Sequence, residues 1–510
     1  MKPRLILRAD GNEQIGLGHV MRLVALARLL GSAAESWFCI RLPTPAVVAR
    51  LEAAGLRVVR IPESIELADE PAWLATALPT NPDESEPYPV IILDGYHFDV
   101  AYQRELSAAG WPLIHIDDLR QGFQWADVLL NHAGNVTPTD YTAVPATTFG
   151  LGPAWALLQP EFQALAQHRV SSKVPINAPR WFLNMGGADP CNHTLHLLGE
   201  VRTRYPQLPL EVVTGAAYPH DRAMLQATGG AFTTVHHDLP TPALAALLTQ
   251  CTGFICPPSG ISYECAAASG LLLLYPTAEN QRGLYEFLTS SKLALPYADL
   301  PSLPVETWSA QANILAARQQ AVFDGRAAER LIHAVQALET TYSLGIRRAT
   351  ATDSLQYFEW VNEPSVRAQA LRTDPILWAD HGRWFAARLA DTATYLYVLT
   401  APGNTAEAIG QVRIEFDAKN QGLIDYSLVP AWRGRGFGAA LLRRAVRQLR
   451  LDRPGAWSLL AYVRETNAAS SRVFTQLGFQ RGESLPLPGG VCEVYFVRAP
   501  APEGAAPSIL

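Results

Sequence analysis

At 510 residues the chain exceeds what one hydrophobic core supports, so two or three domains are expected. Its 48% hydrophobic content and mean hydropathy near zero fit a soluble globular chain. A formal net charge of -6 supplies no overall basic field for nucleic acid or an anionic membrane. Cys39, Cys191, Cys251, Cys256, Cys265 and Cys492 form neither a Cys-x-x-Cys pair nor a Cys/His cluster at zinc spacing, which points to a reducing compartment and no structural metal. The N-terminus meets Arg4 and Arg8 without a secretory apolar core, and no apolar run nears the about 18 residues that span a bilayer. The cytoplasm is the expected address.

The first stretch of the chain alternates short apolar runs with helical patterns. Runs at residues 5–7, 37–40, 57–61, 90–93, 113–116 and 128–130 predict β/α units around a parallel sheet. The first run empties into Ala9-Asp10-Gly11 and Gly16-Leu17-Gly18-His19 before a helical pattern over residues 20–30. In open α/β sheets this junction is where ligands sit, because glycine N–H groups approach an anion and the helix start adds partial positive charge. Met21 stands where a dinucleotide fingerprint needs its third glycine, so a nicotinamide or flavin site is not expected. His19 at the loop mouth is either a catalytic imidazole or a hydrogen-bonded structural one. Asp94-Gly95-Tyr96 and Asp117-Asp118 follow two further runs and reach the same rim, as substrate contacts or as turn caps. Tyr96 either packs its ring on a sugar while its hydroxyl hydrogen-bonds or is a half-buried structural tyrosine.

A Ser/Pro-rich connector at residues 171–179 is expected to separate a second α/β set. There Trp181-Phe182-Leu183 runs into Asn184-Met185-Gly186-Gly187-Ala188-Asp189, a strand, glycine pair and helix start that either hold a pyrophosphate or make a tight turn. A strand ending at Cys256 leads into Pro257-Pro258-Ser259-Gly260 and then Glu264, and the loop after the next strand carries Asn280 and Gln281. One helix is expected over residues 309–339 and a linker over 340–345. Beyond it, residues 395–426 alternate in the antiparallel manner. Leu428-Val429 then leads into Arg433-Gly434-Arg435-Gly436-Phe437-Gly438 and an amphipathic helix to about residue 449. Backbone N–H groups of such a loop wrap a pyrophosphate, and the helix start favours its charge.

Four resemblances follow from these segments. RADGNEQIGLGHVMR, DGYHFD and HIDDLRQGFQWADVLLNHA resemble the UDP-sugar hydrolase of pseudaminic acid biosynthesis, the UDP-2,4-diacetamido-2,4,6-trideoxy-β-L-altropyranose hydrolase family. The second set resembles the C-terminal domain of two-Rossmann-domain glycosyltransferases, which implies that Glu264 meets ribose hydroxyls and that Asn280 and Gln281 lie near sugar or pyrophosphate. The Pro258-Ser259-Gly260-Ile261 run departs from the hydroxyl-rich pattern usual there. Arg433-x-x-Gly436-x-Gly438, with Tyr462 to Asn467 and Leu477-Gly478-Phe479, matches the acetyl-CoA loop and following elements of GNAT N-acetyltransferases. The stretch with Glu359-Trp360-Val361-Asn362 and Trp378 to Trp384 resembles enzymes that acetylate UDP-linked 4-amino sugars. Phe474 stands where many GNAT enzymes carry a tyrosine acid.

The resemblances imply an α/β chain of two Rossmann-like, GT-B-like domains (1–155 and 156–340), a GNAT domain (346–498) and a loose tail (499–510). They imply a bifunctional enzyme. One site hydrolyses the UDP-sugar with inversion, His19 as general base, no metal, and substrate contacts from Asp10, Gly16, Gly18, Asp94, Tyr96, Gly186, Gly187, Asp189, Ser259, Glu264, Asn280 and Gln281. The other acetylates its 4-amino precursor from acetyl-CoA held by Leu428, Val429, Arg433, Gly434, Arg435, Gly436, Phe437, Gly438 and Asn467. The expected partners are these two small molecules and neighbouring pathway enzymes, with neither nucleic acid nor membrane. A glycosyltransferase joined to an acetyltransferase and a non-catalytic nucleotide-sugar module stay open. Release of UDP only with an acceptor marks the first; a His19→Ala variant with unchanged UDP release marks the second.

Overall fold

The computed structural model describes residues 2–11, 16–78, 88–168, 179–488 and 490–499. The expected connector at 171–179 and loose tail therefore lie almost wholly outside the described residues.

The first sheet contains β1 (Arg4–Arg8), β2 (Glu35–Arg41), β3 (Arg57–Ile61), β4 (Val90–Asp94) and β5 (Leu113–Ile116), and a two-residue strand β6 (Phe123–Gln124) stands apart from it. It is completed by β7 (Val128–Asn131) and β9 (Thr148–Leu151), while β8 (Thr142–Ala143) pairs β6. The order is β3-β2-β1-β4-β5-β7-β9, with every pair parallel. Runs such as Val90-Ile91-Ile92-Leu93 are apolar throughout because both faces are covered. One face packs helix Gly18–Leu30 through Leu23, Val24 and Leu26, and the other packs Tyr102, Leu106 and Trp111.

The second sheet repeats the plan with β10 (Trp181–Leu183), β11 (Leu210–Thr214), β12 (Thr233–His237), β13 (Gly253–Cys256), β14 (Leu271–Leu274) and β15 (Leu295–Pro296). Its order, β12-β11-β10-β13-β14-β15, is again parallel, and both orders reverse direction beside their first strand, as in doubly wound sheets.

The helix expected over residues 309–339 is two helices, Trp308–Val322 and Ala327–Ser343. Gly325 breaks the run at φ +69°, and a side chain there would strike the Gln163 carbonyl at 2.4 Å. The second helix leaves the second sheet and buries Leu331, Val335 and Leu338 against the first, beside Leu5 and Ile92. It runs through Ser343, so the linker expected over 340–345 is largely helix; periodicity alone does not reveal which core covers a stripe.

The last sheet holds β16 (Gly345–Arg348), β17 (Thr394–Ala401), β18 (Asn404–Phe416), β19 (Gln421–Leu428), β20 (Trp457–Arg464), β21 (Gln480–Leu487) and β22 (Gly490–Ala499), in the order β16-β17-β18-β19-β20-β22-β21. Its pairs are antiparallel except β19 with β20, which run parallel for three residues, Gln421↔Ser458 to Leu423↔Leu460, and then part. Helices Phe437–Asp452 and Ala468–Gln476 cover one face through Leu441, Leu442, Val446 and Phe474, and Tyr357, Trp360 and Phe385 cover the other. Among the described residues no helix is long and apolar enough to cross a membrane.

Candidate functional site

The polar groups of the first sheet gather at the carboxyl ends of β1, β4 and β5, where the strand order reverses. Asp94 is the last residue of β4, fully buried, and its Oδ1 lies 2.7 Å from Nδ1 of His19 in the first turn of helix Gly18–Leu30. One turn further, Arg22 donates to the same carboxylate through Nε (2.6 Å) and Nη2 (2.5 Å), and to Asp118 through Nη1 at 2.7 and 2.9 Å. Burial alone would raise the Asp94 carboxyl, but hydrogen bonds from Arg22 and His19 outweigh it and hold it below the usual carboxylate range. The aspartate thus stays charged, fixes the ring, and leaves Nε2 as the nitrogen open to chemistry. Tyr96, 63% exposed, stands edge-on to His19 at 4.6 Å between ring centroids.

Asp10 is placed differently from its neighbours on this rim. It accepts from Arg8 Nη1 at 2.5 Å and Arg41 N at 2.8 Å and lies 3.0 Å from His97 Nε2. Arg8 in turn pairs with buried Glu70, so Asp10 braces the end of β1. Gly16, at φ +76°, and Gly18 have open space where a side chain would stand.

His132, after β7, was not singled out from the sequence. Its carbonyl accepts from Tyr263 Oη at 3.0 Å, which ties the first sheet to helix Gly260–Ala268 of the second. Burial lowers its imidazole below the ordinary value, and the charge of Arg22 lowers it further. At Gly134, just beyond, a side chain would collide with the Phe287 ring. The only sequence signal was two small residues, Ala133 and Gly134, after an apolar strand.

In the second sheet Gly186 takes φ +94°, its N–H bonded to Asn184 Oδ1 at 2.9 Å, and both it and Gly187 have open space beside them. Asp189, expected at the substrate, is instead spent on helix His193–Arg204, accepting from His193 N and Thr194 N at 2.8 Å each; its φ of +42° turns the carboxylate onto the helix start. Gln281 likewise closes its own turn, accepting from Thr277 N at 2.8 Å, while Asn280 is exposed. Ser259 precedes helix Gly260–Ala268 without capping it through its side chain. Burial pushes the Glu264 carboxyl on this helix up to about 7. Among the described residues no three His, Cys, Asp or Glu side chains converge as metal ligands.

In the last unit, Gly434 (φ +71°) and Gly436 (φ +84°) shape the loop before helix Phe437–Asp452, and neither has a heavy atom within 4 Å of where a Cβ would sit. Val429 N donates to Ile409 O at 2.9 Å, which makes Leu428↔Gly410 a non-bonded pair and turns the Leu428 N–H away from β18, into the gap where β19 and β20 part. Arg433 ties down the loop, through Nε to Leu428 O (2.8 Å) and Nη2 to Glu363 (2.8 Å). Its role here is a brace, because both ends of the guanidinium are occupied by protein. Arg435 lies over Trp432 and Phe437, and Asn467 caps helix Ala468–Gln476 by accepting from Ser470 N at 3.1 Å. The Phe474 ring packs on Tyr426, whose hydroxyl pairs with Ser470 at 3.0 Å on this same side of the sheet. Trp360 and Phe385 are core, and Trp378 is half exposed.

Comparison with known proteins bears on both halves. Residues 343–480 match the family model described as acetyltransferase (GNAT) domain. An uncharacterized protein of Methanocaldococcus jannaschii is 19% identical over 500 residues, covering 94% of this chain and 97% of its own. A match of that extent runs through all three sheets. Among solved structures, an aminoglycoside acetyltransferase in complex with coenzyme A is 18% identical, covering 30% of this chain and 94% of its own with a TM-score of 0.26. Spermidine N-acetyltransferase from Vibrio cholerae, in complex with CoA and spermine, is 16% identical, covering 31% and 96% with a TM-score of 0.27. The segment from residue 343 to 480 is a GNAT acetyltransferase domain.

Proposed function

We propose that the chain acetylates the amine of a UDP-linked 4-amino-4,6-dideoxy sugar and then hydrolyses the acetylated product to free sugar and UDP. The acyl donor is acetyl-CoA. The glycine loop from Gly434 to Gly438 offers open backbone to its pyrophosphate, and the gap between β19 and β20 offers the Leu428 N–H to the oxyanion that forms as the amine attacks the thioester. The thioester C–S bond breaks, CoA leaves as thiolate, and the nitrogen sheds its proton.

For hydrolysis the observation that carries the reading is the His19–Asp94 pair at the reversal point of the first sheet. His19 Nε2 takes a proton from water as the oxygen bonds to the anomeric carbon, and Asp94 stabilises the imidazolium. The bond from that carbon to UDP breaks on the opposite face, which inverts the centre. The turn at Gly186 and Gly187, where no side chain stands in the way, together with helix starts of the second sheet, meets the diphosphate charge; Glu264 meets the ribose and Tyr96 the sugar. Direct water attack needs no covalent sugar intermediate.

The test is His19→Ala in the full chain. The variant is expected to bind UDP with unchanged affinity by calorimetry, to keep acetyl transfer, and to lose UDP release by at least about 100-fold. Unchanged UDP release would exclude the histidine as base.

A further inference from the structure

One polar stripe of helix Phe437–Asp452 is turned away from solvent. Arg443, Arg447 and Arg450 stand one and two turns apart on that face and are buried against the rim of the first sheet, where Trp125, Asp127 and residues 144–147 meet them. Two of these guanidinium groups, Arg443 and Arg447, share one carboxylate, Asp127. Asp127 already accepts from Leu113 N at 2.8 Å, from Tyr342 Oη at 3.0 Å and from Arg447 Nη1. Arg443 Nη2 donates to Thr148 Oγ1 at 2.8 Å, and Arg450 lies over the Trp125 ring and donates to Gly455 O.

That leaves donors over. Arg447 is 8% exposed and Arg443 4%, yet Nε and Nη2 of Arg447 and Nε of Arg443 are buried without a hydrogen-bond partner. The same residues line a cavity at the seam with room for about one water-sized particle. Burial drives Arg443 below the usual guanidinium value although the Asp127 charge pulls the other way. A guanidinium does not lose its proton near neutrality, so the excess charge calls for an anion.

We propose that this seam between the first sheet and the acetyltransferase domain binds a single small inorganic anion of halide size, chloride under cellular conditions. The ion takes the leftover N–H groups of Arg443 and Arg447 and completes the charge balance that Asp127 begins. It is a structural bridge, since it lies among the side chains through which the two units dock. The cavity excludes a nucleotide or a sugar phosphate by size. A water molecule filling the cavity would satisfy two donors but leave the charge, and this is the alternative the experiment separates.

Thermal unfolding of the full chain in sodium chloride and in sodium gluconate at equal ionic strength, about 0.15 M, isolates the ion from general screening. The melting temperature is expected to be about 2 °C higher in chloride, to rise with chloride concentration, and to respond likewise to bromide. The Arg443→Met variant is expected to unfold at the same temperature in both salts. Crystals grown in bromide are expected to show an anomalous peak between Arg443 and Arg447, a readout independent of any variant's folding. Equal melting in both salts, a chloride effect that persists in Arg443→Met, or a bromide peak only outside the seam would each overturn the proposal. So would binding at crystal concentration only.

Discussion

Replacing Asp94 by asparagine separates the ring-fixing role of the carboxylate from its bulk. The wild-type side chain, itself fully buried, receives His19 Nδ1 at 2.7 Å and two N–H groups of Arg22 at 2.5 and 2.6 Å. Asparagine keeps the shape but removes the charge and offers an NH2 group where His19 needs an acceptor, so the ring is pushed to the wrong tautomer. Removing one partner of a buried ion pair costs about 3–5 kcal/mol; Arg22 keeps Asp118, so about 2–3 kcal/mol is expected here. UDP release should fall about 10²–10⁴-fold in kcat with little change in KM, while acetyl transfer stays at the wild-type rate. The assay follows UDP release at several pH values, with circular dichroism confirming the fold at assay temperature. A folded variant that keeps hydrolysis within about threefold of wild type would refute the reasoning.

Three further outcomes are expected. Gly436→Asp puts a side chain at φ +84° and a negative charge into the acyl-donor loop, so acetyl transfer should be abolished and hydrolysis spared, measured as CoA and UDP release on one sample. Asp127→Ala leaves Arg447, Tyr342 Oη and Leu113 N without their shared acceptor, and should cost about 3–5 kcal/mol in chemical denaturation. For Glu264 the folded value of about 7 lies above the unfolded 4.5, so the folded chain holds the extra proton between these values and stability declines as pH rises from 4.5 to 7. Glu264→Gln should remove that decline and gain on the order of 1–3 kcal/mol above pH 7; identical pH profiles would contradict the desolvation argument.

Where backbone demanded a particular residue, the sequence was readable. Glycines at strand ends, the His19 helix start and the Gly434 to Gly438 loop all stand where local rules put them, because each answers to its immediate neighbours. The pairing of His19 with Asp94 spans 75 positions, and only the rim location hinted at it. Arg22, one turn past the histidine, carries no sequence signal of its own, although it binds two carboxylates. Asp189 and Gln281 show the opposite limit: a polar residue beside a glycine loop serves a ligand or the backbone equally well, and here both serve the backbone. The helix after the glycine loop is amphipathic by pattern, but periodicity reports a polar face and not that another unit covers its arginines. The same limit hid the return of helix Ala327–Ser343 to the first sheet.

The most direct test follows a single reaction by NMR, with the purified chain, acetyl-CoA and the UDP-4-amino sugar together. The account predicts that CoA, UDP and a free diacetamido sugar appear in equal amounts, the sugar first seen as the anomer opposite to the one bound to UDP. Accumulation of the acetylated UDP-sugar with no UDP released would contradict it.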